Sequence, residues 1–238
     1  MSPKTDVMAR PSPKFLGLLN RRERWGLSWR GVLVLTLAGL LAGWGLVLNI
    51  HPFLAVTHRV PTKVLVVEGW THIYGVDAAV NEFKTGQYDQ LLTTGGPVEG
   101  YGPTSSIYDT DAWQSAGLLK KAGLPAAVVQ AVSSCFVGRD RTYNSAIALR
   151  NWLREHDPQV GSLNVLTEDA HARRTWRLFQ AALGPGVQVG IVSVRNPDYD
   201  ARHWWRSSSG VREIIDEGIA YVYAKVFFHP AKTAVQVP

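Results

Sequence analysis

Residues 63–96 read KVLVVEGWTHIYGVDAAVNEFKTGQYDQLLTTGG, and their pattern indicates the fold class. The β-branched run at residues 63–67 is long enough for a buried strand and too short for a helix. Apolar residues then recur at helical spacing over residues 76–84, and Gly86 follows as a stop signal. Residues 90–94 form a second strand-like run. A strand, a helix and a strand in this order predict a βαβ unit with parallel strands.

The same alternation continues almost to the C-terminus. Further strands are predicted at residues 127–132, 162–167 and 187–194, and further helices at residues 107–121, 143–155, 170–183 and 211–228. Short strands that alternate with helices of about 10–15 residues are typical of a parallel sheet with both faces covered. We therefore predict an α/β domain with a mostly parallel five-stranded sheet and helices on both faces.

The N-terminal part contains a different signal, because residues 31–50 (GVLVLTLAGLLAGWGLVLNI) carry no charge. As a helix this run is about 30 Å long, which matches the hydrocarbon core of a bilayer. It is also longer than the apolar core of about 7–15 residues that a cleaved signal peptide has. We predict an uncleaved membrane anchor, with a cleaved signal peptide as the alternative.

Arginines precede the apolar run, namely Arg21, Arg22, Arg24 and Arg30. The positive-inside rule places this flank in the cytoplasm. The prediction is therefore a single-pass protein of the inner (plasma) membrane whose globular domain is extracytoplasmic. Such a domain is separated from ATP, NAD and S-adenosylmethionine.

These signals divide the chain into five parts. They are a basic cytoplasmic tail (1–30), a transmembrane helix (31–50), a linker (51–62), the α/β domain (63–228) and a C-terminal tail (229–238). The formal net charge is +6, of which residues 1–30 supply +5 and the remainder +1. The basic charge thus reports membrane topology and contact with lipid headgroups, and it does not indicate a nucleic-acid partner.

Polar or glycine-rich segments follow four of the predicted strands. They are residues 68–70, 93–97, 139–142 and 168–174. Ligands of open parallel sheets bind beyond the carboxyl ends of the strands, at a switch point in strand order. We expect the four segments to meet in one crevice.

The fourth segment places three cationic side chains, His171, Arg173 and Arg174, at the start of a helix. Cations are unfavourable there because the first turn carries a partial positive charge. His171 and Arg174 are three residues apart and share a helix face, which predicts a site for phosphate or carboxylate. The alternative is that Asp169 caps the helix and that Glu168 and Asp169 neutralise the arginines.

The other segments contribute candidate ligand-binding groups. Arg141 and Thr142 open a helix, where Arg141 either points into the crevice or follows a plain N-cap formed by Asp140 or Thr142. The Thr94–Gly95–Gly96 turn either lets backbone approach a ligand or is only a tight turn.

Glu68 follows the first strand and could act as a general base, a metal ligand or an arginine partner. No cluster has zinc spacing, and neither a P-loop, a G-x-G-x-x-G motif nor a G-x-S-x-G elbow occurs in the sequence. We therefore predict no metal and no cofactor. The predicted catalytic residues are His171 and Glu68.

Four motifs carry a resemblance that covers residues 63–228. They are VLVVEGW, LLTTGG, RDRTYNSA and TEDAHARRTWRLF. In these motifs and in their spacing the chain resembles the YdcF-like family, a domain of unknown function (218) that includes envelope proteins of the SanA and ElyC type. The resemblance implies a Rossmann-like fold and a role in peptidoglycan or surface-polysaccharide biogenesis.

The resemblance carries over only matching positions, which are Gly95, Gly96, Thr142, His171 and Arg174. The chain departs from the family pattern at residues 68–70, near Val76 and Asp77, and at Asn144–Ser145, where relatives commonly have other residues. One cytoplasmic member of the family is reported to bind S-adenosylmethionine.

The leading functional hypothesis is a membrane-anchored domain that binds an anionic, phosphate-bearing envelope intermediate, either a small molecule or a lipid-linked ligand. In this hypothesis Arg174 and Arg141 hold the phosphate, His171 hydrogen-bonds or transfers a proton, and Glu68 orients the site. One alternative is a hydrolase or transferase acting on a phosphoryl or glycosyl group in the same crevice. Others are a nucleotide- or S-adenosylmethionine-binding protein and a non-catalytic scaffold.

Overall fold

The computed structural model describes residues 19–21, 25–98, 109–135 and 139–229, and the side chains from residue 26 onward within these ranges. The chain divides into two compact units, Met1–Asn49 and Ile50–Pro238. Most of the predicted tail at residues 1–30 lies outside the described residues. So does the predicted C-terminal tail at residues 229–238, apart from residue 229.

The first unit contains a short hairpin and most of a long helix. Strands β1 (Leu19–Arg21) and β2 (Trp25–Leu27) pair antiparallel. This hairpin lies within the predicted tail, for which the sequence indicated no regular structure. Helix α1 follows at Trp29–Leu54.

Helix α1 is the one helix among the described residues that is long and apolar enough to cross a membrane. Every residue from 32 to 44 is exposed, as expected of a helix whose apolar surface is covered by lipid. The helix covers the predicted span at residues 31–50 and runs through Pro52 to Leu54, so the predicted linker begins as helix.

The second unit is built on five strands, β3 to β7. They are β3 (Val64–Glu68), β4 (Gln90–Gly95), β5 (Val129–Ser133), β6 (Ser162–Glu168) and β7 (Gln188–Val194). All neighbouring pairs are parallel, in the order β5-β4-β3-β6-β7. This confirms the predicted α/β fold class.

Five helices follow the strands or close the domain. They are α2 (Ile73–Thr85), α3 (Asp111–Lys121), α4 (Arg141–His156), α5 (Ala172–Leu183) and α6 (Ser208–Val222), and a π-helical turn (Tyr223–Phe227) continues α6. A 3-10 turn at Asp169–His171 precedes α5, and a second at Ala201–Arg206 precedes α6.

Alternate side chains of the strands pack on opposite faces of the sheet. Val66 and Leu92 belong to a buried cluster with Leu149 of α4 and Phe179 of α5. Leu65 of the same strand belongs to a second cluster, with α2 and α3. Strands with helices on both faces are buried throughout, which explains why their sequences are continuous apolar runs.

The strand order places a switch point between β3 and β6. The chain goes from β3 outward to β4 and β5, and it then returns to β6 on the other side of β3. Connections that leave in opposite directions open a crevice at the carboxyl ends of these two strands. The residues that end them are Glu68 and Glu168.

Candidate functional site

A cavity of about 720 Å³ lies at the carboxyl ends of the strands. Its volume is in the range of about 300–1,000 Å³ that is typical of ligand sites. All four segments that the sequence singled out contribute to its lining, with Glu68, Thr94, Gly95, Gly96, Arg141, Thr142, His171 and Arg174 among the lining residues. The structure thus brings every candidate residue to one crevice.

One half of the crevice, the carboxylate–histidine half, is formed by Glu68, Glu168, His171, Arg174 and Glu217. Glu68 and Glu168 are buried, at 2% and 4% exposure. Glu217 reaches this half from α6. The other half, the hydroxyl half, is formed by Thr94, Gly95 and Gly96 at the end of β4 and by Arg141, Thr142 and Ser145 at the start of α4.

His171 is held by Glu217. The His171 Nδ1 atom lies 2.9 Å from Oε1 of Glu217, and Nε2 lies 3.7 Å from Oε2 of Glu68. The ring also contacts the edge of Trp70, with centroids 4.7 Å apart. Nδ1 also lies 2.9 Å from Nη2 of Arg174, so the hydrogen-bond role of this nitrogen depends on the tautomer of His171. In the tautomer whose Nδ1 donates to Glu217, Nε2 is the nitrogen available for general acid–base catalysis.

Arg174 is paired with the same carboxylate. Its Nε donates to Oε2 of Glu217 at 2.8 Å, and its Nη2 donates to Oε1 at 2.9 Å. Burial works against the charge of Glu217, but His171 and Arg174 outweigh it and lower the pKa of Glu217. Burial also opposes the charge on Arg174, but the hydrogen bonds that Arg174 donates to Glu217, together with the negative charge of Glu217, outweigh burial and raise the pKa of Arg174.

This pairing changes the interpretation of the cationic helix start. His171 and Arg174 do share one face, as their spacing indicated. Glu217, 43 residues further along the chain, neutralises them. Arg173 lies on another face, where it donates to the backbone oxygen of Phe53 and covers its ring. The cations are therefore compensated, and Arg174 is not a free phosphate clamp.

Asp169 and Glu168 do not act as the sequence alternative supposed. Asp169 does not cap α5: its carboxylate accepts from Tyr199 at 2.7 Å and lies 3.0 Å from Nε2 of His51. Burial and the hydrogen bond to Asp169 raise the pKa of Tyr199. Asp169 has a φ of 30°, a strained backbone for a residue other than glycine, and these contacts hold it.

The carboxylate of Glu168 is hydrogen-bonded by side chains of α2 and of the segment before it. Its Oε2 accepts from the hydroxyl of Tyr74 at 2.5 Å and lies 3.0 Å from Nδ1 of His72. The hydrogen bond to Glu168 raises the pKa of His72. Burial, followed by the bond to Glu168, raises the pKa of Tyr74. Glu168 thus fixes the start of α2 against the crevice.

Glu68 keeps an oxygen for other contacts. Oε2 of Glu68 accepts from the hydroxyl of Thr175 at 2.8 Å, which orients the carboxylate. Oε1 makes no hydrogen bond to a described residue. Glu68 therefore has one carboxylate oxygen, Oε1, without a partner among the described residues, while the oxygen 3.7 Å from His171 is Oε2.

Arg141 is also paired, with Asp111 of α3. Its Nη2 donates to Oδ2 of Asp111 at 3.0 Å and to the backbone oxygen of Pro97 at 3.1 Å. Asp140 occupies the N-cap position of α4 with a φ of 62°, and its side chain forms no cap. The plain N-cap that the sequence allowed is therefore not formed by Asp140.

The hydroxyl half contains donors without partners. Thr94 is 1% exposed, and its hydroxyl makes no hydrogen bond to a described residue. The hydroxyls of Thr142 and Ser145 make none to the described residues either. A buried hydroxyl without a partner costs about 1–3 kcal/mol. Of the three hydroxyls only that of Thr94 is fully buried, and those of Thr142 and Ser145 lie in the first turns of α4. Together they form a set of donors that a bound oxyanion or hydroxyl-rich group would satisfy.

The glycine turn has a packing reason of its own. A Cβ at Gly95 would lie 2.6 Å from Cβ of Asp111 and 2.8 Å from the backbone nitrogen of Ala112. A Cβ at Gly69 would lie 2.5 Å from the backbone of Asp111. Both glycines let the start of α3 approach the ends of β3 and β4, so they shape the crevice whether or not a ligand touches them.

Sequence reasoning missed several lining residues, namely Ser145, Glu217, Tyr223 and Phe228. Ser145 could have been found, since it follows Thr142 by three residues and so lies on the same helix face. Glu217 has no local signal, because it sits in an amphipathic helix where charged residues are ordinary. Among the described residues, no group of three or more His, Cys, Asp or Glu side chains could hold a metal ion.

No protein-family model matches this chain, and neither a curated protein nor a solved structure matches it significantly.

Proposed function

We propose that this chain is a membrane-anchored domain that binds a sugar phosphate or a related phosphate-bearing ligand in the crevice. The proposal rests on the buried hydroxyl of Thr94 at the end of β4, next to the hydroxyls of Thr142 and Ser145 at the start of α4, none of which has a partner among the described residues. The phosphate would occupy this hydroxyl half, where hydroxyl and backbone donors converge and the helix dipole favours an anion.

The charges of the crevice support this placement. Glu68, Glu168 and Glu217 all line the carboxylate–histidine half, and Glu68 is the register partner of Thr94, where the two halves meet. Asp111 and Asp140 line the hydroxyl half, where Asp111 is paired with Arg141. Burial and the charge of Glu217 raise the pKa of Glu213, which lines the same cavity. A phosphate would be repelled in the carboxylate–histidine half, whereas sugar hydroxyls can donate to carboxylates. A ligand with phosphate at one end and hydroxyls at the other matches both halves.

The compartment and the biological role form part of the proposal. The arginine-rich flank of the apolar helix supports a cytoplasmic N-terminus and an extracytoplasmic domain at the inner membrane. Together with the resemblance to YdcF-like proteins, this supports a role in envelope, peptidoglycan or polysaccharide biogenesis.

Calorimetric titration of the detergent-solubilised full-length chain with glucose 1-phosphate tests the binding site. We expect Ser145→Ala to weaken binding by about 2- to 12-fold, the worth of one neutral hydrogen bond of about 0.5–1.5 kcal/mol. Asn151→Ala, an exposed position on the same helix, should leave the affinity unchanged. Equal affinities for the wild type and Ser145→Ala would place the ligand elsewhere.

A specific observation favours a second candidate, a hydrolase or transferase acting on a phosphoryl or glycosyl group. Nδ1 of His171 is bound by Glu217, and Nε2 is on the Glu68 side of the crevice, next to where the sugar end of the ligand would lie. This arrangement could move a proton at the bond between sugar and phosphate. Binding and catalysis would then share one site.

A further inference from the structure

A second cavity, of about 610 Å³, lies against the outer side of α6. We call it the apolar groove, and its walls include Ile50, Ile215, Ile219, Val222, Tyr223 and Phe227. Ile219 and Phe227 are each 66% exposed, and Val222 is 52% exposed. Apolar side chains gathered at one exposed place mark a surface that binds another apolar group.

The apolar groove adjoins the polar crevice. Tyr223 lines both cavities, and it is the first residue of the π-helical turn that continues α6. Beyond it, Phe227 lines the groove while Ala224 and Phe228 line the crevice. π-helical turns are rare and often occur at functional sites. Here the turn forms the wall between a polar and an apolar cavity.

The groove also adjoins the end of the membrane anchor along the chain. Ile50, which lines it, is the last residue of the uncharged run at residues 31–50. A Cβ at Gly218 of α6 would lie 3.7 Å from Cδ1 of Ile50, so α6 passes close to this residue. If residues 31–50 span the bilayer as proposed, Ile50 ends the span, and a hydrocarbon chain could pass from the membrane into the groove.

From these three observations we infer that the ligand of the crevice is an amphiphile whose hydrocarbon chain lies in the apolar groove. This inference rests on the proposed function, since the polar head occupies the crevice. The groove accepts one chain at Ile215, Ile219 and Val222, and the head passes Tyr223 to reach Thr142 and Ser145. The substrate class is thus a lipid phosphate with a single hydrocarbon chain, with or without a sugar.

Photolabelling of the full-length chain in phosphatidylcholine nanodiscs tests the inference. One probe is a dodecyl phosphate with a diazirine in its chain, and the other is the matching alcohol without phosphate. Because the head adds binding energy, we expect the phosphate probe to label the groove residues about tenfold more than the alcohol. Excess methyl phosphate should compete for the head site and reduce this labelling.

Two variants distinguish labelling in the groove from labelling at any exposed apolar residue that contacts the bilayer. Ile219→Ser should lower labelling by the phosphate probe and leave the affinity for glucose 1-phosphate unchanged. Ile73→Ser, a change at an equally exposed apolar residue of α2 (63%), should lower neither. Exposed side chains contribute little to the core, so both variants should fold.

Equal labelling of the groove by the phosphate and the alcohol would overturn the inference, because the groove would then be only a bilayer contact. Absence of groove labelling would overturn it as well. If glucose 1-phosphate still binds in either case, the proposed function stands and only the lipid substrate class fails. If glucose 1-phosphate does not bind, the proposed function fails, and the inference fails with it.

Discussion

Replacing Glu217 with alanine is expected to lower the free energy of unfolding of the α/β domain by about 3–5 kcal/mol. The variant leaves the guanidinium of Arg174 without its carboxylate, and Nδ1 of His171 loses the same partner. Both side chains are largely buried, at 20% and 10% exposure, so water cannot fully replace Glu217. Denaturant unfolding of the full-length chain in detergent, followed by tryptophan fluorescence, measures the loss.

Asp216→Ala is the matched control. Asp216 is adjacent in α6 but exposed, and its removal should change the free energy of unfolding by no more than about 0.5 kcal/mol. If Glu217→Ala unfolds at the same denaturant concentration as Asp216→Ala, the network around Glu217 does not stabilise the domain.

The pH dependence of unfolding gives an independent check. The pKa of Glu217 lies below its ordinary value of 4.5 in the folded protein. Its stabilising contribution is therefore complete above pH 4.5 and is lost as the pH falls toward the lowered pKa. The difference in stability between the wild type and Glu217→Ala should accordingly shrink below pH 4.5.

The second large effect is expected on turnover, if the crevice is catalytic. We expect His171→Gln to reduce hydrolysis or transfer about 10²–10⁴-fold, which is the usual contribution of a general acid or base. Glutamine keeps a polar side chain beside Glu217 but cannot exchange a proton near neutral pH. Assays with p-nitrophenyl phosphate, p-nitrophenyl glucoside and glucose 1-phosphate measure the change.

His203→Gln provides the control, because this histidine pairs with Asp200 outside the crevice and is 45% exposed. Its turnover should equal that of the wild type. Turnover that survives in His171→Gln would exclude His171 as the acid or base. Binding of glucose 1-phosphate without any turnover in the wild type would leave binding as the function of the crevice.

The fold class could be predicted because its signals are local. The run VLVVE at β3 is apolar and β-branched, since a central parallel strand is buried on both faces. Helix α2 shows its period and its glycine stop within a few residues. The short hairpin at β1 and β2 and the extension of α1 past Pro52 could not be predicted. The pairing of two three-residue strands and the exact end of a helix are not determined by local residue propensities.

The crevice was partly predictable for a topological reason. The carboxyl ends of parallel strands meet at one edge, so the segments after β3, β4 and β6 had to be neighbours once the sheet was correct. The partner of each charge could not be predicted in this way. Arg174 is paired with Glu217 of α6, and Arg141 is paired with Asp111 of α3. Such long-range pairs have no signature in a single sequence.

This difference moves the expected phosphate position. From the sequence, we expected Arg174 and Arg141 to hold the phosphate, with His171 next to it. Both arginines are paired with carboxylates, and the lining hydroxyls without a partner among the described residues are those of Thr94 at the end of β4 and of Thr142 and Ser145 in α4. The ligand is still expected in the same crevice. Its sugar hydroxyls would now face the carboxylates, and its phosphate would face the hydroxyls of Thr94, Thr142 and Ser145.

Hydrogen–deuterium exchange of the full-length chain with saturating glucose 1-phosphate tests whether phosphate binds in the hydroxyl half of the crevice. A phosphate held in the hydroxyl half should slow exchange at the turn of residues 94–96 and at the first turn of α4, because backbone amides there would be ordered or bound. Ser145→Ala at the same ligand concentration should show weaker protection. Unchanged exchange in both segments, or protection confined to other parts of the chain, would show that phosphate does not bind in the hydroxyl half.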